Sequence, residues 1–77
     1  MKLDLSEENI KNLHSKCKNQ DKHLYEFLKD EFPLMSIDDR LKYLATILND
    51  FLEEYEWNDN DRIKEEGYSI VKFYPKK

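Results

Sequence analysis

Apolar positions recur at spacings of three and four through most of this chain and turn to alternation only near its two ends. At the start, Met1, Leu3 and Leu5 alternate with Lys2 and Asp4, the period of a short half-buried strand. Ser6 is a good helix N-cap, and Glu7 and Glu8 put negative charge at the positive end of the helix dipole. A first helix is therefore expected to about Lys18, with Ile10, Leu13 and Cys17 on a narrow apolar stripe. After the polar break Asn19-Gln20-Asp21, Asp21 is placed to cap a second helix carrying Leu24, Phe27, Leu28 and Phe32. That helix ends before Pro33, because proline disfavours helical geometry in the residue preceding it.

The clearest pattern follows. Ser36 and Asp39 resemble a capping box and open a third helix. Its apolar seam is Ile37, Leu41, Leu44, Leu48, Phe51 and Tyr55, with Tyr43 and Ile47 on the flank. Residues Trp57 to Asp61 read as a turn by composition, and Arg62 to Glu66 are expected to add one or two helical turns stopped by Gly67. Tyr68 to Tyr74 is dense in aromatic and β-branched residues and reads as a strand closed by Pro75.

A lone strand leaves its backbone groups unpaired, and Met1–Leu5 is the other strand candidate. The expected fold is thus mainly α with a minor β part, on one small domain spanning residues 1–77. It has three main helices, a short fourth, and a two-stranded sheet made by the N- and C-terminal segments. Should those segments not pair, the C-terminal strand would need a second copy, giving a homodimer.

Composition narrows the class. Ten aromatic residues and a hydrophobic fraction of 39% are too many for a disordered chain, although 39% of residues are charged. A single cysteine and the absence of a basic-apolar leader point to a reducing, cytoplasmic setting. No apolar run approaches the roughly 20 residues needed to span a bilayer, so no membrane partner is expected. Abundant Lys, Asn and Asp beside a single Gly carry the bias of AT-rich bacterial or phage genomes.

Charge changes the picture more. Of the net −4, the segment 50–66 alone holds eight carboxylates against two cations, whereas the last eleven residues hold three lysines and no acid. Those carboxylates are Asp50, Glu53, Glu54, Glu56, Asp59, Asp61, Glu65 and Glu66. At the end of the third helix they oppose its dipole, a cost of about 0.3–1 kcal/mol that helix stability alone does not favour.

Candidate chemistry is thin. His14, Cys17, Asp21 and His23 could be read as metal ligands, but they do not make two recognisable ligand pairs, and Cys17 lies on the apolar stripe. Cys17 with His14 as nucleophile and base has no third orienting group nearby. Asp59-Asn60-Asp61 begins like a calcium loop, but Ile63 falls where an oxygen ligand belongs and Lys64 where the loop needs glycine. With Gly67 as the sole glycine no phosphate-binding loop exists. A helix-turn-helix around Pro33 would use Arg40 and Lys42, yet Asp38, Asp39 and the acidic segment would repel phosphates. Lys11, His14 and Lys18 form only a modest basic stripe, so nucleic acid is a disfavoured partner.

The functional expectation is therefore a non-enzymatic protein-binding module without a cofactor, of which an inhibitor or immunity-type protein is one form. Its docking residues would be Asp50, Glu53, Glu54, Glu56, Trp57, Asp59 and Asp61, meeting a basic surface such as that of a nucleic-acid enzyme. A structural homo-oligomer built through the C-terminal strand and a nucleic-acid-binding regulator are the alternatives.

Overall fold

Three helices carry the core in a computed structural model that describes residues 2–77: α1 (Glu7–Lys18), α2 (Leu24–Glu31) and α3 (Ile37–Phe51). Short strands follow: β1 (Tyr55–Glu56), β2 (Arg62–Glu65), β3 (Tyr68–Val71) and β4 (Tyr74–Pro75). The molecule is mainly helical with a minor antiparallel part, as the sequence pattern predicts.

Two of the three expected N-caps hold. The Ser6 hydroxyl accepts the Asn9 amide at 3.3 Å, and the Ser36 hydroxyl accepts the Asp39 amide at 3.2 Å. The cap of α2 is His23 rather than Asp21: its Nδ1 accepts the Glu26 amide, while Asp21 points out to pair with Lys77. The Leu24 amide donates to the Phe73 carbonyl at 2.8 Å, so the start of α2 is pinned by the C-terminal strand region.

α3 lies against both α1 and α2. Its buried face is Ile37, Arg40, Tyr43, Leu44 and Ile47, while Leu41, Leu48 and Phe51 are half-buried at the edge. Tyr43 and Ile47, expected on a flank, are thus central, because a helix clasped on two sides buries more than one seam. The helix also stops at Phe51. A 3₁₀ turn over Leu52–Glu54 carries the chain into extended geometry at Tyr55, so Tyr55 is buried from a strand and not from the helix.

The sheet differs from expectation in two ways. Arg62–Glu65 is a strand, not a fourth helix, and pairs with β3 in the register Arg62↔Val71 to Glu65↔Tyr68. Gly67 is therefore a hairpin residue. Glu66 (φ 47°) and Gly67 (φ 88°) both have positive φ, the two-residue type I′ turn whose twist matches paired strands. The local reason is that Ile63 and Ile70 sit opposite each other and turn to the core, so alternation wins over helical spacing.

β1 and β4 pair as Tyr55↔Pro75 and Glu56↔Tyr74 in a second two-stranded antiparallel sheet, set off from the first by residues 57–61 and 72–73. With β3 and β4 paired locally, no N-terminal strand is needed, and none forms over residues 2–5; Met1 lies outside the described residues. That segment is instead held by side chains: the Asp4 amide donates to the Tyr43 hydroxyl at 3.0 Å and Asn9 Nδ2 to the Asp4 carbonyl at 2.6 Å. Buried apolar side chains from all three helices form one contiguous cluster with Met35, Tyr55 and Ile70.

The turn makes a simple test. Glu66→Asn removes the steric conflict of a positive φ and should raise the unfolding free energy by about 0.5–1 kcal/mol. Gly67→Ala should lower it by about 1 kcal/mol although an added Cβ meets nothing within 4 Å, because the cost is conformational. Equal urea midpoints for the two variants would show that the turn is not the one described.

Candidate functional site

The acidic stretch begins on the last turn of α3, which carries no basic residue to balance Asp50. Asp50 and Glu53 are exposed. Glu54 turns back onto α1: its carboxylate meets Lys18 Nζ at 2.8 Å and lies 3.3 Å from His14 Nε2. Lys18, ahead of His14, holds the Glu54 carboxyl below the usual carboxylate range. In β1 the two-residue period buries Tyr55 and exposes Glu56.

Trp57 is 45% exposed, and its ring is backed by Phe73 at 5.3 Å between centroids. The loop it opens is fastened from within. Asn58 Oδ1 accepts the Asn60 amide at 2.9 Å, the Asn58 carbonyl accepts the Asp61 amide at 2.8 Å, and Arg62 Nε donates to the Asp59 carbonyl at 2.6 Å. Asp61 pairs with Lys72 at 3.5 Å.

The expected docking residues thus divide. Glu54 and Asp61 are neutralised by the protein's own cations, as is Glu65, which Lys29 pairs and holds low ahead of a contribution from the Tyr25 hydroxyl. Asp50, Glu53, Glu56 and Asp59 have no ion-pair partner among the described residues, and Trp57 stands between the last two in sequence.

The four residues considered as metal ligands are not brought together. Asp21 pairs with Lys77 and His23 caps α2, while His14 and Cys17 face the interior. What sequence reasoning missed is that Tyr55 joins these last two. Its hydroxyl is 2.9 Å from His14 Nδ1, the His14 ring stacks on Phe51 at 4.1 Å, and the Tyr55 hydroxyl partly offsets the effect of burial on the Cys17 thiol. His14 Nε2, though near Glu54, is buried without a well-aligned hydrogen bond. Burial pushes the Cys17 thiol up to about 11, which leaves almost no thiolate at neutral pH. The signal available in the sequence was the i, i+3 spacing of His14, read on the basic stripe, from Cys17 on the apolar one.

Arg40, considered as a phosphate contact, is an interior residue at 6% exposure. Its Nε and Nη2 donate to the Phe32 carbonyl at 3.2 and 3.0 Å, Nη2 also to the Pro33 carbonyl at 3.0 Å, and Nη1 to the Tyr25 hydroxyl at 3.4 Å. The guanidinium therefore closes the C-terminus of α2 and fixes the turn that displays Leu34, which is 94% exposed.

His23 lines a cleft of about 420 Å³ with Asp21, Glu26, Arg62, Lys72 and Tyr74. Burial, ahead of the opposing pull of Glu26, holds its imidazole below the usual value. The unfolded chain therefore takes up this proton at a higher pH than the folded one. The contribution of neutral His23 is present at pH 7 and above and is lost as pH falls through about 6.5. His23→Asn keeps a cap acceptor and removes the titration, so its unfolding free energy should fall less between pH 7.5 and 5.5 than that of the unaltered protein. Superimposable pH profiles would refute this assignment.

No helix among the described residues is long and apolar enough to cross a membrane. No known protein family, curated protein or solved structure matches the chain.

Proposed function

We propose that this chain is a non-enzymatic protein-binding module that docks a basic surface of its partner, as an inhibitor of a nucleic-acid enzyme would. The observation that carries the reading is the division of its carboxylates. Its lysines pair mostly with other acids, leaving Asp50, Glu53, Glu56 and Asp59 without an ion pair among the described residues in the stretch of chain that carries the half-exposed Trp57. Such a field steers a basic partner, and a half-exposed tryptophan backed by Phe73 is a pre-ordered anchor. The internally bonded loop lowers the entropy lost on docking. Asp50 adds to this, since it sits where the dipole of α3 disfavours an acid.

The test reverses Asp50, Glu53, Glu56 and Asp59 to Lys and spares Glu54 and Asp61, which hold the fold. A partner captured from host lysate by the unaltered chain should be lost by the fourfold variant and weakened at least about tenfold by Trp57→Ala. A correctly folded fourfold variant that retains the partner would remove the proposal. The homo-oligomer reading has lost its motive, because β3 is paired within the chain.

A further inference from the structure

We propose that the docking surface continues into a groove between the start of α1 and the end of α3, and that this groove takes an apolar side chain flanked by basic residues of the partner. The proposal rests on the acidic docking surface described above and adds its second half.

The groove, of about 520 Å³, is lined by Leu5, Glu7, Lys11, Asp50 and Phe51. Its apolar part is Leu5, 43% exposed, and Phe51, held in place by its stack on His14. Leu52, 44% exposed, follows Phe51 directly. Glu7 and Asp50 have no ion-pair partner among the described residues, and Lys11 is the one cation in the lining. Another cleft lined by the N-terminal segment carries Asp4 and Glu8, which also have no ion pair among the described residues. The fold therefore sets Glu7, some forty residues away in sequence, in one groove with Asp50.

The chemistry selects the occupant. Leu5 and Phe51 call for apolar contact, while Glu7 and Asp50 in the same lining, outnumbering Lys11, call for cations close by. A leucine or methionine between lysines or arginines supplies both, and the long stems of the basic residues can lie along the apolar part. Phosphate backbones and anionic lipid surfaces would be repelled by Glu7 and Asp50. A second copy of this chain would set acid against acid. Glu7 and Glu8 also suit the positive end of α1, but Asp50 lies at the negative end of α3 and gains nothing from the dipole.

The probe is a short peptide with two leucines flanked by lysine and arginine, and its control is the same peptide with serines for leucines. Both are titrated into the ¹⁵N-labelled full chain while amide shifts are followed. The leucine peptide should shift residues 5–11 and 50–52. Its binding should weaken at least about tenfold for the serine control, for Leu5→Ser and for Asp50→Lys, both sites being exposed enough to leave the fold intact. Equal binding of the leucine and serine peptides to the unaltered chain would overturn the groove. Shifts confined to residues 56–61 would also overturn it while leaving the acidic surface around Trp57 standing. No shifts from either peptide would count against both.

Discussion

Arg40→Met will lower the unfolding free energy by about 3 kcal/mol, a large share of what a chain of this size holds. Burying a guanidinium is itself costly, so removing the charge returns part of the loss. The sign is decided by what remains: the Pro33 carbonyl and the Tyr25 hydroxyl lose the guanidinium, the Phe32 carbonyl keeps only the Met35 amide, and a buried polar group left unpaired costs about 1–3 kcal/mol. Arg40→Lys should recover less than half, because one ammonium cannot reproduce the planar fork that reaches two carbonyls and a hydroxyl. Hydrogen exchange at the Met35 amide, which donates to the Phe32 carbonyl at 3.1 Å, should accelerate in both variants ahead of the core amides. Chemical denaturation showing Arg40→Met within about 1 kcal/mol of the unaltered chain would mean that the turn closes without the guanidinium.

Tyr55→Ala should be at least as damaging, at about 3–5 kcal/mol, since it empties a fully buried aromatic site where the hairpin meets α1. Tyr55→Phe keeps the ring and should cost about 1 kcal/mol, the worth of the hydroxyl's hydrogen bond with His14. Cys17 supplies the readout, because it is fully buried and its thiol is pushed up to about 11. Labelling by a thiol reagent should then report opening, at a rate about tenfold faster for each 1.4 kcal/mol lost. A labelling rate that stays constant across the two variants while their stability falls would show that the thiol is reached by a local route and that Tyr55 does not guard it.

The helices were legible because each carries its own signals. Ser6 and Ser36 cap where capping chemistry predicts, Pro33 bounds α2, and spacings of three and four place Ile10, Leu13 and Cys17 inside. The strand at Tyr68 was legible from β-branched and aromatic density. Its partner was not. Arg-Ile-Lys-Glu is short and highly charged, and a single glycine after it suits a helix end as well as a hairpin. Ile63 opposite Ile70 settles the matter, and that pairing exists only once both can reach the core made by the helices.

The candidate site divides along the same line. Composition by itself located the acidic segment and Trp57, because charge density and residue type are properties of the chain. It could not tell which carboxylates remain uncompensated, since Lys18, Lys29 and Lys72 reach Glu54, Glu65 and Asp61 only through tertiary proximity. Arg40 read as a surface cation for the same reason: its acceptors are carbonyls at the end of another helix, and carbonyls have no letter in the sequence. Local order and net charge were thus determined residue by residue. Which strand pairs, which acids stay free and which cation lies inside were decided by the fold, because each depends on distances between segments far apart along the chain.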